Sequence, residues 1–191
     1  MMGTQGVIIG SISTPQLGEV WVAFSERGLV AVEFRVRRPQ FESNVRLQTH
    51  GDIVPPDSKG ARLVSDAACQ IAEYLDGKRR VFEIPIDWSI LGSDFQRAAL
   101  KAVMAVPYGE IRTYAQIAAQ MGCPRAPRAV GRANATNPMP LVIPCHRILG
   151  SDGRLHGYGG SGGLKTKLWL LDLEGAPVPQ PARAELRKSA A

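Results

Sequence analysis

Apolar residues along this 191-residue chain follow two different rhythms. Near the start they alternate with other residues: Val20, Val22 and Phe24, then Val30, Val32, Phe34 and Val36, with Ser25-Glu-Arg-Gly28 between the two runs. Period-two alternation around a short Gly-containing turn predicts an antiparallel hairpin with one buried face. Val7-Ile-Ile-Gly-Ser-Ile12 reads as a further strand, Arg35, Arg37, Arg38 and Pro39 end the sheet, and residues 40–57 read as a mixed, loop-like stretch. From Ser58 to Asp76 the rhythm changes. Leu63, Ala67, Ile71 and Leu75 recur at helical spacing and Gly77 stops the run, so a helix is predicted with Cys69 in its core. Val81 to Trp88 is extended, and Pro85 confines it to a sheet edge.

After residue 90 the helical rhythm dominates. Ser93-Asp-Phe-Gln96 has capping-box spacing and opens a helix through Val106, with Phe95, Ala98, Ala99, Ala102, Val103 and Val106 as its core face. Pro107-Tyr108-Gly109 ends it. Thr113 caps a second helix over Tyr114–Met121, Gly122-Cys-Pro-Arg-Ala makes a turn, and Pro127–Asn134 is a third helix with proline in its first turn. Two short helices about a Gly-containing turn have helix-turn-helix spacing. The last helix runs from Leu164 to Glu174, with Leu164, Leu168 and Leu171 inward and Gly175 and Pro177 beyond it. The fold class expected is α+β. Residues 1–90 form a small α/β scaffold with an antiparallel sheet, 91–175 a mainly helical domain, and 176–191 a Pro/Ala-rich disordered tail.

Charge sharpens this division. Residues 1–92 hold 10 Lys/Arg against 11 Asp/Glu, whereas 93–191 hold 13 against 6. Between residues 110 and 137 Glu110 is the only acid, against Arg112, Arg125, Arg128 and Arg132. A basic half points to a polyanion such as nucleic acid, or to an ordinary solvated face. Between its arginines the Pro127 helix is built of Ala126, Ala129, Gly131, Ala133 and Ala135. Gly131 costs about 1 kcal/mol of helix stability relative to alanine. Its presence is explained either by close approach to a narrow groove or by tight packing within the domain. No apolar run nears a membrane span and no signal peptide is visible, so a soluble protein is expected, cytoplasmic and nucleoid-associated or nuclear if the source is eukaryotic; a monomer is expected as well. Cys69, Cys123 and Cys145 are odd in number and lack metal-ligand spacing, which supports neither a disulfide framework nor a metal site.

The chemistry concentrates at Met139-Pro-Leu-Val-Ile-Pro-Cys145-His146-Arg147-Ile-Leu149. Pro144 fixes its own φ and holds Ile143 extended, so the Cys145 thiol leaves a stiff support. A thiol of ordinary pKa is ionised only to a few per cent near neutrality and needs a base to act as a nucleophile. His146 is adjacent, but neighbours on a strand point to opposite faces, which leaves a turn at this point or a bridging water. Glu174 at a helix C-terminus is disfavoured by the helix dipole, which suggests a buried partner such as His146 or else a plain exposed carboxylate. Asn137, before Pro138, can brace the turn leading to Cys145.

Ile143-Pro-Cys-His-Arg-Ile-Leu149 resembles the acceptor-cysteine signature of the O6-alkylguanine-DNA alkyltransferases, which move an alkyl group from guanine O6 in DNA onto their own cysteine. The resemblance extends over about Phe95 to Gly175. It includes Phe95-Gln96, Val106-Pro-Tyr-Gly109, Thr113-Tyr114, Arg128-Ala-Val-Gly131 and Asn137-Pro138, in family order. It implies a ribonuclease H-like N-terminal domain and a partner in double-stranded DNA containing O6-alkylguanine. A helix-turn-helix would enter the minor groove, with Arg128 filling the space of an extruded base and Thr113, Tyr114, Arg125, Ala129, Gly131 and Arg132 around it. Cys145 would be the acceptor, His146 its base through water, Glu174 the group that orients His146, Tyr114 the donor to the leaving base, and Asn137 a brace. Pro140, Ile148, Tyr158, Gly159, Gly160 and Ser161 would form the pocket. No cofactor is implied, because acceptor and base are both side chains. One departure is the run Tyr158-Gly-Gly-Ser-Gly-Gly-Leu164, two residues longer than the family pattern, which predicts tolerance of bulky adducts. Competing classes are a lesion-binding module without transfer, a helix-turn-helix regulator and a thiol hydrolase.

Overall fold

A computed structural model describes residues 6–188, and the chain divides into two units, 1–90 and 91–191. In the first, β1 (Ile8–Thr14), β2 (Gly18–Ser25) and β3 (Gly28–Phe34) form an antiparallel meander, with Val22 opposite Val32 and Ala23 opposite Ala31. Gly28 closes the hairpin at φ 141°, where a Cβ would lie 2.5 Å from the Pro85 carbonyl oxygen, so only glycine fits. Leu29, Val30, Ala31 and Val32 are all buried. Successive strand residues face opposite ways, so β3 is covered on both faces rather than the one that alternation predicts.

The second cover comes from a helix the sequence reading missed. Residues 38–49 form α1 (Arg38–Thr49) instead of a loop, with Pro39 in its first turn and Phe41 and Val45, four apart, buried against Val30 and Ala31. With only two deeply buried residues in an otherwise polar segment, its periodicity is faint. α2 (Ser58–Leu75) is capped by Asp57, whose carboxylate accepts from Gly60 N at 2.7 Å, and buries Ala67, Ile71, Tyr74 and Leu75. Cys69 is exposed, not core: it sits two residues from both Ala67 and Ile71, on the opposite side of the helix. The expected strand over 81–88 reduces to an isolated parallel bridge at Ile86, with Leu29 N donating to Pro85 O and Asp87 N to Leu29 O. Proline has no N–H with which to extend the ladder.

In the second unit α3 (Asp94–Met104) is capped by Ser93 and buries Ala99, Leu100 and Val103; Ala98, expected inward, is exposed. A two-residue strand, β4 (Arg112–Thr113), leads directly into α4 (Tyr114–Gln120), and the turn at Gly122 leads to α5 (Pro127–Ala135). Every residue from Met139 to Gly150 is buried. β5 (Ile148–Leu149) pairs in parallel with β4, and α6 (Gly163–Leu173) follows. Residues 180–188 are helical, α7 (Gln180–Lys188), where a disordered tail was expected; Ala182 is fully buried beside Leu155 and Leu171, which fixes the helix. Residues 189–191 lie outside the described residues. No helix among the described residues is long and apolar enough to cross a membrane.

Candidate active site

The Cys145 support is a turn. Cys145 N donates to Ile143 O at 2.8 Å around Pro144 (φ −81°, ψ 62°), an inverse γ-turn, and Arg147 N donates to Pro144 O at 3.0 Å. Cys145–Arg147 is therefore one turn of 3-10 helix, which resolves the choice left open between a strand and a turn. Asn137 holds the approach. Its amide nitrogen donates to Ile143 O at 2.9 Å, its amide oxygen accepts from Met139 N at 3.1 Å, and the amide also supports the Cys145 sulfur. The β4–β5 pairing ties this turn to Thr113, which caps α4 through a reciprocal box with Gln116. Tyr114 is thereby set against the cysteine.

Behind the thiol lies a buried polar cluster. His146 Nε2 is 2.8 Å from Glu174 Oε1, and both residues are buried. Glu174 Oε2 accepts from Arg147 Nε at 2.9 Å and Gly109 N at 3.1 Å, Arg147 Nη2 donates to Oε1 at 2.9 Å, and Arg147 Nη1 donates to Val106 O at 2.6 Å. Burial alone would raise the Glu174 pKa; the bonds from His146 and Arg147 outweigh it and hold the carboxyl well below the usual range. An ionised Glu174 fixes the proton of a neutral His146 on Nε2, so Nδ1 is the basic nitrogen. Burial pushes the His146 pKa down, against Glu174, while Arg147 and Lys167 add to the fall. Burial likewise pushes the Cys145 thiol up, opposed by Asn137 and Lys167. The resting state is thus a neutral thiol beside a neutral imidazole, and a proton passing to His146 is favoured only while a thiolate forms beside it.

In front of the thiol is a cavity of about 380 Å³. One wall comes from α4 and α5 through Tyr114, Ala115, Pro127, Arg128, Gly131, Asn134 and Ala135, the other from the loop before α6 through Ser151 and His156–Gly159, with Cys145 between. Burial pushes the Tyr114 hydroxyl up to about 12, so it stays a proton donor across the physiological range. The Asn134 carboxamide is close enough to favour Tyr114 ionisation yet not aligned in a hydrogen bond. Both its polar atoms, and the Tyr158 hydroxyl, are buried with no partner among the described residues. A ligand with hydrogen-bonding edges would relieve this cost.

The sequence-derived residues separate into groups. Cys145, Tyr114, Arg128, Gly131, Tyr158 and Gly159 line the cavity, while His146, Glu174 and Asn137 stand behind the thiol. Arg125, Ala129 and Arg132 are exposed on α5 or the turn before it, and Thr113 is engaged in its cap. Pro140 and Ile148, expected in the pocket, are buried in the segment around the cysteine turn, and Gly160 and Ser161 lie beyond the lining loop. Gly159 has a packing reason, since a Cβ there would come within 2.8 Å of Ala135 O. At Gly131 a Cβ would meet only the Tyr114 ring, at 3.9 Å, an ordinary contact. Packing within the domain does not require glycine at 131, which favours close approach by something outside.

Sequence reading missed Asn134 and, above all, Lys167. Lys167 is fully buried, and its ammonium donates to Ile148 O, Leu155 O and Gly157 O at 2.6, 2.7 and 3.2 Å, 5.9 Å from the Tyr114 ring centre. Burial pulls its pKa down to about 8. The available signal was a lysine on the apolar stripe of α6, three residues after Leu164 and four before Leu171.

Two family models match the chain: 6-O-methylguanine DNA methyltransferase, ribonuclease-like domain, over residues 7–88, and the DNA binding domain of the same name over 94–176. Proteins named methylated-DNA–protein-cysteine methyltransferase are 39% identical in Methanosarcina barkeri over 83% of this chain and 91% of the relative. The Salmonella typhimurium relative is 39% identical over 86% and 93%. The crystal structure of Mycobacterium tuberculosis OGT in complex with DNA aligns at a TM-score of 0.70 with 34% identity, covering 92% of this chain and 96% of the other.

Proposed function

This chain belongs to the 6-O-methylguanine DNA methyltransferase family, and from that premise we propose that it repairs O6-alkylguanine in duplex DNA by moving the alkyl group, once, onto Sγ of Cys145. The observation that carries the reading is a buried thiol with a cavity in front and a carboxylate-fixed imidazole behind it.

The alkyl carbon of O6-alkylguanine is shielded within a stacked duplex, so the nucleotide must leave the stack, at an unstacking cost of a few kcal/mol. Supporting this step, Arg128 stands at the cavity rim on a helix whose outward residues, apart from Arg128 and Arg132, are small. In the reaction the thiol proton passes through water to His146 Nδ1. The sulfur lone pair then forms a bond to the alkyl carbon as the carbon–O6 bond breaks, and the Tyr114 hydroxyl donates toward the departing base. Guanine leaves neutral by taking the Tyr114 proton, and the proton that Cys145 gave to His146 returns through water to the Tyr114 oxygen, so no charge is left behind. Glu174 stabilises the transient imidazolium as an ionised carboxylate does beside a catalytic histidine. The product thioether has no ionisable S–H and nothing in the mechanism removes its alkyl group, so each chain acts once. Work on chromosomal DNA would keep the protein with that DNA, in the cytoplasm of a cell without a nucleus or in the nucleus of one that has it.

Intact mass after incubation with duplex carrying O6-methylguanine tests the reading. Wild type should gain one methyl group per chain and Cys145→Ala none. Tight lesion binding without a mass change would instead make the chain a damage-sensing module.

A further inference from the structure

Residues 150–159, between β5 and α6, supply one wall of the cavity, yet no helix or strand lies within them. They are anchored at Leu155. Its side chain is fully buried, its N–H donates to Glu185 Oε2 at 2.8 Å, and its carbonyl accepts from Lys167 Nζ at 2.7 Å. The same ammonium reaches Ile148 O and Gly157 O, so its three hydrogens join the cysteine-bearing segment to both sides of the loop. A neutral amine has only two hydrogens and would release one of the three carbonyls. Glu185 therefore serves the loop twice. It binds Leu155 directly, and its charge favours the protonated state of Lys167.

Glu185 belongs to α7, beyond residue 176 where the family match ends. That helix is itself fixed. Ala182 is fully buried, Leu186 packs on the same apolar cluster, and Arg183 pairs with Asp172 Oδ1 of α6 at 2.6 Å. A carboxylate so placed on a docked helix can hold a loop that has no regular structure of its own.

We infer that Glu185 is a positioning residue for alkyl transfer: through the Leu155 peptide and Lys167 it fixes the loop that carries His156–Gly159 over Cys145. The inference rests on Cys145 being the alkyl acceptor. Reaction geometry is steep in distance, a misplacement of about 1 Å costing up to about 100-fold, and a loop that loses one of its two hydrogen bonds at the Leu155 backbone is expected to slow transfer about tenfold.

Single-turnover transfer from an O6-methylguanine duplex, hydrogen–deuterium exchange across 150–159 and the melting midpoint should be measured for wild type, Glu185→Ala and Glu185→Gln. Glutamine keeps a carbonyl oxygen for Leu155 N–H; alanine does not. Glu185→Ala should react about tenfold more slowly, with faster exchange confined to the loop, and Glu185→Gln, which keeps the acceptor for Leu155 N–H but not the charge that favours protonated Lys167, should return both most of the way, to within about threefold of wild type. Wild-type rate and loop protection in Glu185→Ala would overturn the inference. So would equal slowing in both variants alongside lowered melting, which would make α7 a general stabiliser. If wild type itself takes up no methyl group, the acceptor reading fails instead, and loop exchange in the two variants still decides the clamp.

Discussion

Replacing Glu174 by glutamine should separate the two duties of that carboxylate. Its two oxygens take bonds from His146, from two nitrogens of Arg147 and from Gly109 N, all within 3.1 Å and away from water. Glutamine is nearly the same size but carries no charge, and its amide nitrogen cannot accept. Arg147 would remain as a buried cation without its counter-ion, and removing one partner of a buried pair costs about 3–5 kcal/mol. That is a large share of the roughly 5–15 kcal/mol that holds a domain together. For the chemistry, an amide stabilises an imidazolium poorly and can impose the wrong tautomer on His146, which in a comparable dyad slows catalysis about 10⁴-fold. Urea unfolding at neutral pH and rapid-quench single-turnover transfer read the two effects separately. Acid titration gives a third readout. The folded pKa of Glu174 lies below that of an ordinary glutamate, about 4.3, so its stabilisation is complete above that value and fades as pH falls toward the folded pKa. Wild type should lose this increment on acidification and Glu174→Gln should lack it at every pH. A variant within about 1 kcal/mol of wild type and within about threefold in rate would refute the account of the cluster.

Three further outcomes are expected. Gly131→Ala should stabilise the fold by up to about 1 kcal/mol, since the new methyl meets only the Tyr114 ring, while slowing transfer from duplex DNA; a loss of thermal stability would return Gly131 to a packing role. Arg128→Ala should slow repair of O6-methylguanine in duplex yet leave alkylation by free O6-benzylguanine unchanged, because the free base needs no extrusion; equal slowing with both substrates, read by intact mass, would place Arg128 in the chemistry itself. Methylation of Cys145 should lower the melting temperature, since it removes the S–H and adds carbon beside Asn137, whose amide braces both Ile143 and Met139; identical melting before and after reaction would exclude that coupling.

The reach of the sequence can be traced residue by residue. Local spacing was enough to place β2, β3, α2 and the capped starts of α3 and α4, although it did not show that β3 is covered on both faces. α1 escaped because only Phe41 and Val45 are buried, and α7 because only Ala182 is fully buried, the rest of its docking being Leu186 at the cluster edge, the Arg183–Asp172 pair and the Glu185 carboxylate. The Cys145–His146 neighbourhood was legible as chemistry, but whether the two lay on a strand or a turn was not, since that depends on a backbone bond across Pro144.

By itself the sequence determined which atoms can react: a Pro-braced thiol, an imidazole beside it and a carboxylate 28 positions later than the imidazole, in a basic half with one helix of small residues. Those follow from residue type and short-range spacing, which a linear chain displays. Only the tertiary structure decided which of them meet, and in which protonation state. Glu174 binds His146 and Arg147 at once because α6 ends beside the cysteine turn, and Lys167 reaches three carbonyls because the loop folds back over α6. Burial and long-range hydrogen bonds set those charges, and both are properties of neighbours that are distant along the chain.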